Sequence, residues 1–222
     1  MSVPGILMRL VQPRDGTNPP ADSSSSPIAP CPNVEAIQVM EANDEAKPSR
    51  NTIYFLSDIT PLLSSPSKYN EDVSAHGSTL ESVAWVICSF INGRDAANPG
   101  ADNVAHLLPK APVAGSVLVA NGSTPRPDKV QHYHDWYDQE HGEKLTHVPG
   151  WNSARRYKLE KVYGEAETAN FYGLNYYDEV NGLGGPEWKA GVTEWTMRIR
   201  SNAAKPNVRR VWRSVANKAP QH

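Results

Sequence analysis

Residues Thr52–Asp58 read TIYFLSD, and a loosely matching stretch, ANFYGLNYYD, occurs at Ala169–Asp178. Both stretches are rich in the β-branched and aromatic residues that favour a buried strand. Three identical pairs of residues follow, and all of them share one offset of 120 positions: Asp58 with Asp178, Leu63 with Leu183, and Pro66 with Pro186. A repeat unit of this length indicates half of a domain, duplicated along the chain.

The first half of the chain, residues 1–91, is predicted to hold four strands and one short helix. Gln12–Asn33 is rich in Pro and Ser, which do not support a helix, so we expect a loop in place of a first helix. The short helix is expected to begin near Pro66 and to end near Val73. The strands are expected at Gly5–Val11, Val34–Met40, Asn51–Asp58 and Thr79–Ile91.

The second half, residues 114–222, is predicted to follow the order β-α-β-β-α-β of a ferredoxin-like unit. Asp128–Thr146 is expected to form its first helix, and a second helix is expected to begin near Pro186. The strands are expected at Ala114–Ala120, Asn152–Glu160, Ala169–Asp178 and Asn207–Val215. Residues 92–113 are interpreted as a linker between the halves, because their Asn-Gly and Asn-Pro-Gly sequences are typical of turns.

The predicted sheets have one face covered by helices and a second face that must also be buried. We therefore predict an α+β fold in which two fused ferredoxin-like repeats pack sheet to sheet as a pseudo-dimeric α/β barrel. A cavity between the two sheets is expected to hold the substrate.

Composition and charge narrow the class of protein. A net charge of −2 and a pI of 6.4 argue against a nucleic-acid partner, which requires a basic surface. A membrane partner is not expected, because the chain has no run of 18 apolar residues. Its start does not resemble a secretory signal, and Cys31 and Cys88 do not form a disulfide framework. We therefore expect a cytoplasmic protein.

Several common catalytic motifs are missing from the sequence. It has no phosphate-binding glycine loop, no GxSxG sequence, no CxxC pair and no dinucleotide fingerprint after the first strand. Hydride transfer, phosphoryl transfer and acyl-serine hydrolysis are therefore disfavoured. Proton transfer on a hydrophobic small molecule fits the residues that remain.

The densest group of candidate functional residues is QHYHDWYDQEHGEKLT at Gln131–Thr146. On an α-helix, His134, Asp138 and His141 would form one stripe. A carboxylate beside two imidazoles could raise the basicity of one of them and make a general acid or base near neutral pH. A metal site and a solvated structural stripe are alternatives, although the spacing is not that of HExxH.

The candidate substrate-binding residues are aromatic or positively charged. Aromatic side chains here could line a cavity or pack the helix on the sheet. Arg156 and Tyr157 are expected on opposite sheet faces, and Arg9 lies mid-strand, where a buried charge needs a partner or a function. The full set is Tyr133, Trp136, Tyr137, Trp151, Arg156, Tyr157 and Arg9.

Three short motifs together resemble the EthD family: WYDQEH at Trp136–His141, VPGW at Val148–Trp151 and ARRY at Ala154–Tyr157. That family belongs to the dimeric α/β-barrel superfamily, and its fungal members often carry two fused halves. His141 matches the family's histidine at the helix end. The first half lacks a WYxxEH helix, so the resemblance implies one such site rather than two.

The resemblance implies a lyase or cyclase of polyketide or related secondary metabolism that works without a cofactor. Its expected reaction is decarboxylation, dehydration or cyclisation, including pericyclic cyclisation, of a hydrophobic substrate. Two alternatives stay open: a non-catalytic carrier of a pathway intermediate, and a haem-dependent barrel enzyme. Association of two chains into a homodimer is also open.

Overall fold

A computed structural model of the protein describes residues 2–17, 33–99 and 104–218. These residues form eight strands: β1 (Gly5–Pro13), β2 (Val34–Ala42), β3 (Arg50–Leu56), β4 (Leu80–Asp95), β5 (Val117–Ser123), β6 (Trp151–Tyr163), β7 (Phe171–Tyr177) and β8 (Val208–Lys218). Most of the predicted loop, residues 18–32 with Cys31, lies outside the described part of the chain.

The helices are short and lie between the strands. They are α1 (Thr60–Leu63), α2 (Pro66–His76), α3 (Val130–Trp136), α4 (Gly142–Thr146), α5 (Pro186–Ala190) and α6 (Glu194–Ser201). A 3₁₀ turn at Pro127–Lys129 precedes α3, and a π-helical turn at Tyr137–His141 joins α3 to α4. In the described ranges, no helix is both long and apolar enough to span a membrane.

The eight strands close into one antiparallel barrel in the order β1-β3-β2-β8-β5-β7-β6-β4. The strands of the first half follow one another as β4-β1-β3-β2, and those of the second half follow as β8-β5-β7-β6. The two halves meet where β2 pairs with β8 and where β4 pairs with β6. A single chain therefore completes the barrel.

Each predicted strand has a counterpart in the structure within a few residues, and β4 differs most at its end. It continues to Asp95, so four residues of the predicted linker belong to a strand. Gly93 permits this extension, because a Cβ there would lie 2.5 Å from the carbonyl oxygen of Ala154 on β6. The Asn-Gly sequence therefore marks a close approach of two backbones and not a turn.

Large side chains fill the inside of the barrel. Buried residues from all eight strands meet there, among them Ile6, Met40, Phe55, Val86, Leu118, Tyr157, Leu174 and Trp212. The prediction of a substrate cavity between the two sheets is therefore wrong. An eight-stranded barrel is just wide enough for its inward side chains, so those side chains form the core of the protein. A space of about 100 Å³ remains at one end, beside Asn51.

On the outside of the first-half sheet, α2 covers Arg9. The Arg9 guanidinium donates hydrogen bonds to both carboxylate oxygens of Asp72, at 2.8 and 2.7 Å, and both side chains are buried. Trp85 Nε1 also donates to Asp72 Oδ2, at 2.8 Å. The partner that a buried Arg9 needs is therefore a carboxylate on the covering helix.

Replacing Asp72 by Ala is expected to lower the free energy of unfolding by about 3–5 kcal/mol, because the buried charge of Arg9 loses this carboxylate. Urea unfolding followed by circular dichroism measures the change. Glu71→Ala is the matched control, since Glu71 is the exposed neighbour on α2; it should change the free energy by less than about 0.5 kcal/mol. Equal effects of the two substitutions would contradict a structural role for Asp72.

Candidate functional site

A large cavity lies outside the barrel, between the second-half sheet and the helices that cover it. Its volume is about 620 Å³, and it is called the outer cavity below. Outward-facing residues of β5 and β7 form its floor: Val119, Asn121, Asn175 and Tyr177. Helical residues form its opposite wall: Trp136, His141, Leu145, Trp188, Thr196 and Ile199. The candidate site is therefore a space between the outer face of the sheet and the helices that cover it.

The π-helical turn places two cavity residues face to face. The Gly142 amide donates to the Tyr137 carbonyl, five residues back, as in a π-helix. The rings of Trp136 and His141 are also five residues apart, and they stack with a centroid distance of 4.2 Å and an interplanar angle of 18°. In an α-helix, five residues turn the side chain by about 140°, so this stack would not form.

His141 is a neutral imidazole in the cavity wall. Protein surrounds most of its ring, and burial lowers the pKa of His141 to about 4, because the charged ring loses solvation. The charges of Arg200 and Arg156 lower this pKa further, whereas the Gly191 carbonyl opposes the shift. Among the described residues, its Nδ1 has no hydrogen-bond partner.

Thr196 fixes the position of Trp136, on which His141 stacks. Trp136 Nε1 donates to Thr196 Oγ1 at 3.2 Å, and Thr196 Oγ1 donates to the Gly191 carbonyl at 3.1 Å. Thr193 caps α6 by accepting a hydrogen bond from the Thr196 amide. The imidazole therefore rests on an aromatic ring that is held from the opposite helix.

His134 and Asp138 belong to a different cluster, centred on Arg156. Arg156 donates to Asp138 Oδ1 at 2.5 Å and to His134 Nδ1 at 2.6 Å. Burial, followed by the charge of Arg156, lowers the pKa of His134, which fits its role as a neutral acceptor. Asn92 also donates to Asp138, at 3.1 Å. This cluster joins the helix to β6 and β4.

The structure thus separates the three residues that the sequence placed on one stripe. The prediction assumed 3.6 residues per turn, but the π-helical turn inserts an extra residue per turn between Asp138 and His141. Asp138 consequently faces Arg156, and His141 faces the outer cavity. The predicted pairing of a carboxylate with His141, and the near-neutral pKa that it implied, are therefore wrong.

The predicted aromatic residues of the helix occupy two different places. Trp136 lines the outer cavity. Tyr133 and Tyr137 are buried against Arg156, whose guanidinium carbon lies 4.3 Å from the Tyr137 ring centroid. Gly173 makes room for Tyr137, because a Cβ at that position would lie 3.3 Å from the tyrosine hydroxyl. These tyrosines and Arg156 attach the helix to the sheet.

Trp151 and Tyr157 lie on opposite faces of the second-half sheet. Trp151 is buried on the outer face, and its Nε1 donates to Asn175 Oδ1 at 3.4 Å. Tyr157 points into the barrel, where burial raises its pKa well above the usual value for a phenol. Arg156 faces outward, as its neighbouring position in the strand predicts.

Sequence reasoning missed several residues that line the outer cavity. Asn175 is the clearest case, because it is a buried amide in the otherwise apolar and aromatic strand β7. A polar residue at such a position is itself a signal of a partner or a ligand. The other missed residues include Asn121, Trp188, Thr196, Arg200, Lys205 and Arg209.

The described residues contain no group of three or more His, Cys, Asp and Glu side chains placed to hold a metal ion. Of the predicted residues, His134 and Asp138 share one cluster, but both of them contact the guanidinium of Arg156. The alternative of a metal site on the predicted stripe is therefore not supported by this geometry.

Solved structures share this fold over almost the whole chain. An anthrone oxidase-like protein has a TM-score of 0.64 and 12% identity, covering 100% of this chain and 95% of that one. A candidate monooxygenase from Fusobacterium nucleatum has a TM-score of 0.64 and 6% identity, covering 98% and 95%. A candidate monooxygenase from Lactobacillus acidophilus has a TM-score of 0.58 and 7% identity, covering 99% and 97%.

These likenesses show the dimeric α/β-barrel fold, here as a closed eight-stranded antiparallel barrel with few helices. The sequence matches no protein-family model, and no curated protein matches it.

The lowered pKa of His141 predicts acid-sensitive stability. The unfolded chain binds a proton at this residue near pH 6.5, whereas the folded protein binds it only near pH 4. Stability is therefore complete above pH 6.5 and falls as the pH drops to 4, by up to about 3 kcal/mol. His141→Gln should remove this part of the slope in urea unfolding measured at several pH values.

His147→Gln is the matched control, because His147 is exposed and lies outside the cavity. It should leave the pH dependence of wild-type stability unchanged. The same slope in His141→Gln as in the wild type would show that His141 titrates normally in the folded protein.

Proposed function

We propose that this protein is an enzyme that removes a proton from a hydrophobic, polyketide-like aromatic substrate in the outer cavity, with His141 as the base. The placement of a neutral imidazole in the wall of a largely apolar cavity carries this proposal. A volume of about 620 Å³ suits a small-molecule ligand. The chain itself supplies every group that this step requires.

The proposed step transfers one proton to His141. At pH 7 the ring is neutral, because its pKa is about 4, and it can therefore accept a proton. A C–H or O–H bond of the substrate breaks, and its electron pair remains on the substrate as an enolate or phenolate. The resulting imidazolium and enolate attract each other strongly in a site that excludes water.

Asn175 is proposed to stabilise the enolate oxygen. Its Oδ1 accepts a hydrogen bond from Trp151 Nε1, so its amino group, which also lies beside the Tyr137 hydroxyl, would be the donor to the substrate. A donor that is fixed before the reaction stabilises developing charge without a reorganisation cost. Asn121, on the adjacent strand β5, also lines the cavity and offers a second amide.

The structural neighbours support a small-molecule enzyme. They include an anthrone oxidase-like protein and two candidate monooxygenases. Anthrone is a hydrophobic tricyclic carbon acid, and an enolate is the species that would go on to react with dioxygen. Dehydration and ring closure, which are lyase and cyclase reactions, can begin from the same enolate.

We further interpret the two halves as fused ferredoxin-like repeats of the EthD type. The equivalent strand orders of the two halves support this interpretation. The WYDQEH sequence, which occurs in the second half only, contributes Trp136 and His141 to the helical wall of the outer cavity, and this fits a single reactive site. In the first half, the corresponding outer face is occupied by Arg9, Asp72 and Trp85.

Deuterium exchange of anthrone tests the proton transfer without requiring a second reactant. In D₂O without oxygen, the wild type should accelerate exchange of the methylene protons, as followed by NMR. His141→Gln should slow this exchange by about 100-fold or more, because general-base catalysis typically contributes that much. Anthrone binding, followed by quenching of tryptophan fluorescence, should be retained in the variant.

His147→Gln serves again as the control and should exchange anthrone at the wild-type rate. Binding of anthrone to the wild type without any acceleration of exchange would support a carrier protein in place of an enzyme. Wild-type exchange in His141→Gln would exclude His141 as the base.

A further inference from the structure

We propose that the outer cavity selects substrates that carry a carboxylate, which rests at the cavity mouth on Arg200, Lys205 and Arg209. This inference rests on the proposed function and names the substrate class for that site. The aromatic part of the substrate would extend inward, and its acidic C–H group would reach His141. The carboxylate would stay intact during the reaction.

Three cations from three different segments meet at the mouth. Arg200 is on α6, Lys205 is in the connection to β8, and Arg209 is on β8 itself. All three side chains are exposed, and all three line the outer cavity. None of the described residues that line this cavity is an Asp or a Glu. The mouth is therefore positive although the chain has a net charge of −2.

The cations at the mouth differ from the buried arginines of the protein. Among the described residues, Arg200, Lys205 and Arg209 have no ion-pair or hydrogen-bond partner for their side chains. Elsewhere, four arginines that are buried or partly buried pair with an aspartate: Arg9 with Asp72, Arg155 with Asp95, Arg156 with Asp138, and Arg210 with Asp44. Like charges that are held together without a counter-ion favour binding of an anion.

The charges of Arg200 and Arg209 change the pKa values of two residues in the cavity wall. Arg200 contributes to the lowered pKa of His141, and Arg209 opposes the upward shift in the pKa of Tyr177 that burial causes. Both guanidinium groups therefore lie close enough to the cavity to influence a bound ligand. Their effect would be larger on a ligand anion that displaces water from the mouth.

The two ends of the outer cavity differ in their exposure to solvent. The cations are exposed, whereas Trp136, Tyr177 and Ile199 are buried, with 5%, 1% and 7% of their surfaces accessible. An amphipathic ligand therefore gains most when its apolar rings lie inward and its charged group lies at the mouth. His141 stacks on Trp136, so the inward end of the ligand is the end that meets the base.

This orientation argues against decarboxylation among the reactions considered above. Loss of CO₂ would move negative charge away from the carboxylate, which the cations at the mouth stabilise in the ground state. Interactions that are stronger in the ground state than in the transition state raise the barrier. Proton removal at the far end of the ligand leaves the carboxylate and its contacts unchanged.

Two anthracene probes test the charge preference directly. The wild type should bind 2-anthroate about tenfold or more tightly than its neutral methyl ester, as measured by equilibrium dialysis at low salt. The triple variant R200Q/K205Q/R209Q should lose this preference, because each exposed charge contributes about two- to fivefold. Raising the salt concentration should weaken binding of the carboxylate and not of the ester.

Arg198→Gln is the matched control, since Arg198 is an exposed arginine on α6 that does not line the outer cavity. It should keep the preference of the wild type. Equal binding of the two probes by the wild type, or an unchanged preference in the triple variant, would overturn the inference. Folding of each variant is checked by its circular dichroism spectrum and its thermal midpoint.

The exchange assay on neutral anthrone separates this inference from the proposed function. Exchange by the wild type without a preference for 2-anthroate would exclude the carboxylate site and leave the proton transfer standing. A preference for 2-anthroate without exchange would exclude the proton transfer and leave an anion-selective binding protein. Anthrone-2-carboxylate should exchange its methylene protons with a lower KM than anthrone and should retain its carboxylate.

Discussion

The width of an eight-stranded barrel decides where this protein can hold a ligand. The inward faces of the strands carry large buried side chains, including Trp212, Tyr157 and Tyr176, and these side chains form the core. Among the spaces found in the described residues, the one at the end of the barrel is about 100 Å³ and the outer cavity is about 620 Å³, so a substrate has more room outside the sheet, beneath the helices. Because the barrel closes within one chain, the protein has two such outer faces, one in each half.

Only one of these two faces, within the described residues, has the large cavity. In the first half, Tyr69 stacks on Tyr163 from the other half, with a centroid distance of 5.6 Å, and packs edge-on against Trp85. The ion pair of Arg9 with Asp72 occupies the rest of the space under α2. In the second half, the short helices and the π-helical turn leave a space between themselves and the sheet, and this space is the outer cavity.

The strands were predictable because a side-chain period of two appears directly in the residues, and each predicted strand has its counterpart. The filled interior was not predictable, because alternation of polarity does not reveal the volume that inward side chains occupy. The π-helical turn was missed because α-helical spacing was applied throughout, which placed Asp138 beside His141. Asn175 was not predicted as a site residue because only the aromatic residues of strand β7 were used to predict the strand. His141 was predicted from its sequence motif, and the structure places it in the wall of the outer cavity.

Intermolecular NOEs between anthrone and the selectively labelled protein would show where the ligand binds without assuming a reaction. We expect NOEs from the ring protons of anthrone to the side chains of His141, Trp136 and Ile199 in the outer cavity. NOEs to Met40 and Trp212 inside the barrel, with none to His141, would contradict it.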